Sequence, residues 1–456
     1  MNETLWNKVL QFNLDDPAGG YSFSVRLASE NRWTKDFTEK AIVEYKKFMF
    51  LAAKSELMVS PSAIVDIVWH QHLIFSQSYF DFCVLLGKNI QHIPSTHDKA
   101  RFDEFKKAAE RTEKLYADHF GKQPESIWLY DTMLDGLKLK PAKLKIGLFT
   151  LFGVLGTIIL SFPFYYLLRP IYIHINNPYF IWGLLGLTLP VCIILYFYTM
   201  SRFKEIAASF DSQSFVYHLK PFEVIYLKNH KLDDVINGSI SELIHVGMIR
   251  VDLDQRICIS DKMQDLSGEQ LQVISTLKEK GDLFYTQLLR QLRTKPVFRN
   301  TAKSMDQFRS CFNQSREFAK LFYVNFIVFA VLVIFPLIRL VTGVLRDKPV
   351  FQVALLLTLL ILFAINYLYK LNRQFFSRTI PGLYKEIILP IIKEEQDWRW
   401  DYFLYGSAVL SSSLIPLVNY KRSDATYASG DGGGGDSSCG SSGGSSCGSC
   451  GGCGGD

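Results

Sequence analysis

Four long stretches without charged residues interrupt an otherwise mixed pattern of hydrophobic and polar positions along the chain. A helix needs about 20 apolar residues to cross roughly 30 Å of hydrocarbon, and uncharged runs of that length are rare in soluble cores. The pattern therefore predicts four transmembrane helices in two hairpins, 146–200 and 321–368. The predicted spans are residues 146–168, 179–200, 321–338 and 350–368.

Lysine and arginine are unevenly distributed on the two sides of these spans. On one side lie Lys138, Lys140, Lys143, Lys145, Arg202, Lys204, Arg309, Arg316, Lys320, Lys370, Arg373 and Arg378. On the other side lie Arg169, Arg339, Arg346 and Lys348. Because cytoplasmic flanks carry the excess of basic residues, we expect a multi-pass protein of the cell (inner) membrane with both termini in the cytoplasm. The lipid bilayer is its first predicted partner.

Residues 1–130, called the head below, show the 3.6-residue periodicity of amphipathic helices and predict a compact helical domain. Thr34 is a predicted N-cap, and Gly87 is a predicted helix stop. The stripe of the first clear helix comprises Phe37, Ile42, Tyr45, Phe48 and Leu51. The predicted helices span residues 35–54, 61–86 (starting after Ser60) and 97–120 (with a capping signal from Ser95 and Asp98).

Residues 201–320, called the insert below, predict a second soluble unit. Two short helices precede strands at 248–251 and 256–259, which is the order of elements in a small winged-helix fold. The insert contains 18 Lys and Arg against 15 Asp and Glu. Nucleic-acid recognition needs a clearly basic surface, so we expect protein contacts here and no nucleic acid. Residues 131–145 are predicted to form a basic connector, and residues 369–428 a cytoplasmic helical segment. The predicted fold class of the whole chain is mainly α.

Residues 429–456 consist almost entirely of glycine, serine, aspartate and cysteine. Such a segment has no apolar side chains to bury, so it predicts a disordered tail. Its four cysteines are Cys439, Cys447, Cys450 and Cys453, and the last three form two overlapping C-x-x-C units. Thiolates at this spacing suit zinc or another soft transition metal, or thiol exchange. The alternative is a flexible tail with incidental thiols.

The stretch VDIVWHQHLIFSQSYFDFC, residues 65–83, places two histidines in an apolar segment. In a helix, residues two apart point about 200° apart, so His70 and His72 cannot bind one metal ion together. His72 falls on the apolar stripe and is predicted to be structural. His70 falls on the polar stripe, one helical turn from Asp66, where a carboxylate can orient an imidazole.

Three interpretations of the polar stripe remain open. The histidines are structural and satisfied by internal hydrogen bonds; or His70 and Asp66 bind a metal ion together with a histidine beyond Gly87; or Asp66 and His70 perform acid–base chemistry. His92 is the preferred additional metal ligand, because the chain can fold back after Gly87, and His97 is the other candidate. The predicted metal set is therefore His70, His92 and Asp66.

The segments RLASENRW, VEYKKFMFLAA, VDIVWHQHLIFSQSYFDFC, IQHIP and FGKQPESIW, in this order, resemble the glycine-rich domain-containing protein-like family across residues 20–130. The family motif is similar to V-D-x-x-W-H-x-H-x-L, then Y and C, then H-x-P. The residues at motif positions are Asp66, Trp69, His70, His72, Tyr79, Cys83, His92 and Pro94; Ile74 stands near the usual Leu. The remainder resembles bacterial membrane proteins with cysteine-rich C-termini. The resemblance implies an architecture and no particular reaction.

These patterns together predict a cytoplasm-facing integral membrane protein of interaction or scaffold type that responds to a metal ion. No P-loop, dinucleotide fingerprint, nucleophile elbow or H-E-x-x-H motif occurs in the chain, so the pattern leans away from an enzyme. The alternative function is a membrane-tethered, metal-dependent enzyme that uses Asp66 and His70.

Overall fold

The computed structural model describes residues 3–15, 20–93, 102–260, 262, 266, 268–392 and 397–419. The cysteine-rich tail, and the predicted helix start with Ser95, His97 and Asp98, lie outside these residues, as does Pro94. The described chain is mainly helical, which confirms the predicted class. It contains one small sheet.

The described residues of the head form seven helices. They are α1 (Glu3–Gln11), α2 (Phe23–Asn31), α3 (Lys35–Lys54), α4 (Ala63–Ile74), α5 (Ser76–Leu86), α6 (Phe102–Phe120) and α7 (Glu125–Trp128). Thr34 is the N-cap of α3, as predicted, and its side chain accepts a hydrogen bond from the Phe37 amide at 3.4 Å. Four members of the predicted α3 stripe are buried, while Ile42 is half-buried. The middle of α3 thus forms the core of the head.

The prediction of one helix over residues 61–86 is wrong. The helix begins after Ser62, whose hydroxyl accepts from the Val65 amide at 3.2 Å, and not after Ser60. It is interrupted at Phe75, whose dihedral angles (φ −88°, ψ 62°) are not helical. The interruption is stabilised by contacts that periodicity cannot show: the Phe75 amide donates to the His72 carbonyl, and the hydroxyl of Ser78 in α5 lies 3.1 Å from His72 Nε2. The stop at Gly87 (φ 71°) is confirmed.

Among the described residues, four helices are long and apolar enough to cross a membrane, and each contains one predicted span to within one residue. They are α8 (Ile146–Tyr172), α9 (Asn177–Ala208), α15 (Arg316–Val344) and α16 (Phe351–Gln374). The backbone after α16 stays helical through π-helical segments Phe375–Thr379 and Tyr384–Ile388 and short helices Ile380–Leu383 and Leu389–Ile392. Most apolar side chains of α8 face outward, as lipid contact requires. The four helices are therefore candidate membrane spans, as predicted.

Polar contacts join the apolar helices at two levels. Asn325 in α15 is fully buried; its Oδ1 accepts from Thr199 Oγ1 of α9 at 3.2 Å, and its Nδ2 donates to the Leu321 carbonyl at 2.8 Å. At the far end of α15, Arg339 donates to the carbonyls of Tyr172 and Ile175 and to Asn177 Oδ1. Buried polar groups need such partners, so these contacts hold the two hairpins together.

The insert contains the predicted two helices and two strands, followed by further elements. Its helices are α10 (Pro221–Asn229), α11 (Leu232–Val246), α12 (Gly268–Lys280), α13 (Tyr285–Leu292) and α14 (Pro296–Asn313). Its strands are β1 (Ile249–Val251), β2 (Arg256–Ile259) and β3 (Leu283–Phe284). The sheet is antiparallel in the order β1-β2-β3, with Arg250 opposite Cys258 and Ile257 opposite Leu283. β3 was not predicted from the sequence, because a strand of two residues shows no alternation of polar and apolar positions.

Buried side chains from the head, the insert and the segment after α16 belong to one continuous core. That segment includes the last named helix, α17 (Trp398–Tyr405). Direct hydrogen bonds cross between the parts: Asn300 Nδ2 donates to the Trp33 carbonyl at 3.1 Å, and the Tyr130 hydroxyl donates to Asp211 Oδ2 at 3.0 Å. The basic connector is fixed as well, since the Arg316 amide donates to the Lys140 carbonyl at 2.7 Å.

Candidate metal centre

The polar side of α4 carries the first two groups of the site. Asp66 and His70 are one helical turn apart, and His70 Nδ1 lies 3.2 Å from Asp66 Oδ2. The same nitrogen donates to the Asp66 carbonyl at 2.9 Å. α4 packs on α3, and its buried side includes Ile64, Val65 and Val68, which are all fully buried. Burial of that side fixes the orientation of the helix and keeps Asp66 and His70 at the surface.

The third group, His92, comes from the segment that follows α5. Its Nε2 lies 3.0 Å from Asp66 Oδ1, and its ring packs edge-on against Trp69, with centroids 4.6 Å apart. The rings of His70 and His92 are also adjacent, with centroids 4.3 Å apart. The chain therefore folds back after Gly87 far enough to bring both imidazoles to one carboxylate.

A hydrogen-bonded bridge places His92. The hydroxyl of Tyr79 in α5 accepts from Trp69 Nε1 at 3.1 Å and donates to the Ile90 carbonyl, two residues before His92. In the sequence, Trp69 and Tyr79 stand out only as motif positions, and this bridging role is not predictable from them. Trp69 and Tyr79 are ten residues apart, which matches no helical period. The only sign of the bridge in the sequence is that a tryptophan and a tyrosine, each with a polar atom, lie in one apolar segment.

The three groups have the composition of a metal site. One ligand atom from each of Asp66, His70 and His92 can be chosen so that all three lie within 4.8 Å of one another. The side chain of His92 is 12% exposed and that of His70 is 55% exposed, so the cluster is anchored on one side and open to solvent on the other. Two imidazoles and a carboxylate suit Zn²⁺ and other first-row divalent ions.

His72 occupies a different environment, as the helix geometry predicts. It is fully buried, and its Nδ1 lies 2.7 Å from the Tyr45 hydroxyl while its Nε2 faces Ser78. Phe23, Phe82 and the ring of Tyr79 surround the imidazole. Burial among these rings lowers the pKa of His72 to about 4, because removing the charged form from water is unfavourable. His72 is therefore a neutral core residue.

The other candidate ligands do not join this cluster within the described part of the chain. Cys83 and Cys258 are buried free thiols, and Cys192 and Cys311 are partly buried. His97 and the tail residues Cys439, Cys447, Cys450 and Cys453 lie outside the described residues, so their predicted metal binding stays a prediction.

Fold and site together define a mainly helical protein with four candidate membrane spans, in which one Asp/His group among the described residues of the head could bind a metal ion. In comparisons with known proteins, the chain matches no protein-family model, no curated protein and no solved structure. The resemblance of residues 20–130 to the glycine-rich domain-containing protein-like family stays a prediction.

Proposed function

We propose that this protein is a membrane-anchored metal-binding protein in which Asp66, His70 and His92 hold a divalent transition-metal ion, with Zn²⁺ the first choice. The observation that carries the proposal is that two imidazoles from separate segments face the two oxygens of one carboxylate. A bound ion would replace the protons that these groups share, so its binding releases protons and weakens as the pH falls.

The exposed side of the cluster supports an interaction or scaffold role. Three protein ligands leave a coordination position free on a tetrahedral ion, and the solvent-exposed His70 side chain lies at that open side. A side chain of a partner protein can supply the fourth ligand, which would make partner binding depend on the metal. The basic flanks of the spans favour a cytoplasmic head and insert, and the insert, which we regard as winged-helix-like, would provide a further protein contact.

The open position also favours a second candidate function, a metal-dependent hydrolytic enzyme. A zinc ion bound by three protein groups lowers the pKa of the water in its fourth position to about 7 and makes it a nucleophile. Asp66, His70 and His92 would then hold the ion and orient its open position towards a substrate. Exposure of His70 provides the access that a substrate needs.

Zinc titration of the full-length protein in detergent tests metal binding. The tail cysteines should first be replaced by serine, so that thiolates do not contribute to the binding curve. We expect one ion per chain, and a loss of affinity of about 100-fold or more when His92→Ala removes one of three ligands. Isothermal titration calorimetry and metal analysis measure both quantities.

The matched control for that titration is His119→Ala. His119 lies in α6 of the head, and its Nδ1 donates to the Leu115 carbonyl four residues earlier, as His70 does to Asp66. This variant should bind zinc like the parent. The site would be refuted if the His92→Ala and Asp66→Asn variants bound zinc as tightly as the His119→Ala control and the parent.

Tyr79→Phe is expected to lower zinc affinity about tenfold although residue 79 is not a ligand, because groups that position metal ligands have effects of this size. The change removes the hydroxyl that holds the Ile90 carbonyl and so releases His92. It should also cost about 1 kcal/mol in stability, the net value of a hydrogen bond. A variant with this stability loss and unchanged zinc affinity would show that the hydroxyl has no positioning role.

The proposed topology is tested by cysteine labelling of intact cells. An impermeant maleimide should label a cysteine introduced at Asn176, in the turn between α8 and α9, and should not label Cys447 in the tail. The physical reason is the twelve-to-four distribution of basic residues across the spans, which retains the basic side in the cytoplasm. Labelling of Cys447 before lysis would reverse the assignment.

A further inference from the structure

Two arginines meet where α16, a candidate membrane span, ends beside the insert. Arg373 lies in the last turn of α16 and is exposed. Arg309, from α14 of the insert, lies over the ring of Phe376, with its guanidinium carbon 5.6 Å from the ring centroid. Phe376 follows Arg373 by three residues, which is about one helical turn. Arg309 therefore reaches the side of the helix end that carries Arg373.

The ring of Phe376 fixes this arrangement. It is fully buried and packs edge-on against Phe308 and Phe312 of α14, with ring centroids 5.0 and 5.5 Å apart. These contacts hold α14 against the end of α16, and Arg309 is the next residue after Phe308. The tertiary structure thus places a guanidinium from the insert beside one from the span.

The charge of this pair is not taken up by the carboxylate beside it. Asp306 lies three residues before Arg309; its Oδ2 accepts from the Tyr226 hydroxyl at 3.1 Å, and its Oδ1 lies 3.2 Å from His230 Nε2. Both of its oxygens therefore have other partners. Burial lowers the pKa of Arg309, Asp306 and Tyr226 raise it, and repulsion by Arg373 lowers it again. Arginine stays charged in proteins, so two positive charges stand side by side.

A polar atom of Arg309 lacks an acceptor. Its Nη1 is buried and makes no hydrogen bond within the described residues. Buried polar atoms are nearly always paired, and leaving one unpaired costs free energy. The long side chain can rotate to bring this nitrogen to the surface, and the planar guanidinium fork matches the oxygens of a phosphate. The two arginines therefore indicate a ligand that carries a phosphate.

The surface of α16 indicates where that phosphate comes from. Ile361, Ile365, Tyr369 and Arg373 follow one another at four-residue intervals, and all four are exposed. Such residues share one side of a helix. The order along this side is apolar, then aromatic, then basic. Lipid tails, the membrane–water interface and the lipid phosphates follow in the same order, since tyrosine concentrates at the interface and basic side chains extend to the headgroups.

We propose that Arg309 and Arg373 together bind the phosphate of an anionic phospholipid, whose acyl chains lie along Ile361 and Ile365 of α16. A headgroup with net negative charge suits two adjacent guanidiniums, whereas the choline of a zwitterionic lipid adds a positive charge. The lipid would join the insert to the last span, because each part supplies one arginine. The proposal rests on the proposed membrane anchoring and is independent of the metal, whose ligands lie in the head.

The test is native mass spectrometry of the metal-free, full-length protein in neutral detergent, with phosphatidylglycerol or phosphatidylcholine at matched concentrations. We expect the first phosphatidylglycerol to bind about tenfold more tightly, the effect of a charge-assisted hydrogen bond. Arg309→Gln combined with Arg373→Gln should abolish this preference. Arg309→Lys keeps the charge and removes the planar fork, so it should reduce the preference about threefold.

The matched control is Arg202→Gln combined with Lys204→Gln. It removes two exposed basic residues at the end of α9, on the same side of the spans, with the same change in net charge, and should keep the preference. If the Arg309 variants do not fold, Arg373→Gln alone, at an exposed side chain, should reduce the preference about threefold. Equal binding of both lipids by the parent, an equal loss in the control, or displacement of the lipid by inorganic phosphate would overturn the proposal.

Failure of the lipid site is distinguishable from failure of the proposed function. The parent, reconstituted with phosphatidylcholine alone, should float with the vesicles after an alkaline wash, which tests anchoring without an anionic headgroup. Zinc titration tests the metal centre separately. A parent that floats and binds zinc but does not prefer phosphatidylglycerol would refute the lipid site alone.

Discussion

Replacing Glu44 by alanine is expected to destabilise the head by about 3–5 kcal/mol, the usual cost of removing one partner from a buried charged network. Glu44 lies in the middle of α3 and is 5% exposed. Its Oε2 accepts from the Tyr116 hydroxyl at 2.8 Å and from Trp128 Nε1 at 2.7 Å, and its Oε1 accepts from Lys47 Nζ at 2.8 Å. The substitution would leave three donors from α3, α6 and α7 without this acceptor.

Urea unfolding of the full-length protein in detergent, followed by tryptophan fluorescence, measures this loss, because Trp128 reports on the network itself. Glu44→Gln keeps one acceptor oxygen and should lose about half as much, since hydrogen bonds to charged groups are roughly twice as strong as neutral ones. Glu56→Ala, at an exposed carboxylate just beyond α3, should stay within about 0.5 kcal/mol of the parent. A loss below about 1 kcal/mol for Glu44→Ala would mean that the network contributes little to folding.

His72→Ala should destabilise the head by about 2–4 kcal/mol, because it leaves a cavity and removes the partner of the buried Tyr45 hydroxyl. His70→Ala should cost only about 1 kcal/mol, the value of one net hydrogen bond. The same urea unfolding experiment compares the two variants. Equal losses would show that the opposite sides of α4 do not differ as their burial indicates.

The buried imidazole also makes stability depend on pH. The folded-state pKa of His72 is about 4 and its ordinary value is 6.5, so between these values the unfolded chain binds the extra proton. The contribution of neutral His72 is then complete above pH 6.5 and is lost as the pH falls towards 4, by about 3 kcal/mol in total. His72→Asn should flatten this part of the stability profile. A parent profile without a decline from pH 6.5 to pH 4 would contradict the assignment.

The metal centre was predictable from the sequence only in part. Asp66 and His70 are one helical turn apart, so local geometry alone brings them together. His92 was chosen because a glycine precedes it and a loop can return, but its position beside Asp66 depends on the Tyr79 bridge to Ile90. That bridge joins α4, α5 and the following segment, and no periodic pattern in the sequence encodes it.

The sequence by itself determined the four apolar helices, because a membrane span depends on about 20 consecutive residues and on the hydrogen bonds within its own backbone. It also determined the N-cap at Thr34, the stop at Gly87 and the opposite orientations of His70 and His72, which are properties of a single turn or helix. Only the tertiary structure decided the interruption at Phe75, the buried acceptor Glu44 inside an amphipathic helix, and the packing of the head on the insert. The last two depend on side chains that are distant in the sequence, whereas the interruption depends on hydrogen bonds among near neighbours that periodicity does not show. In each case, the contacts balance local preference against the desolvation of buried polar groups.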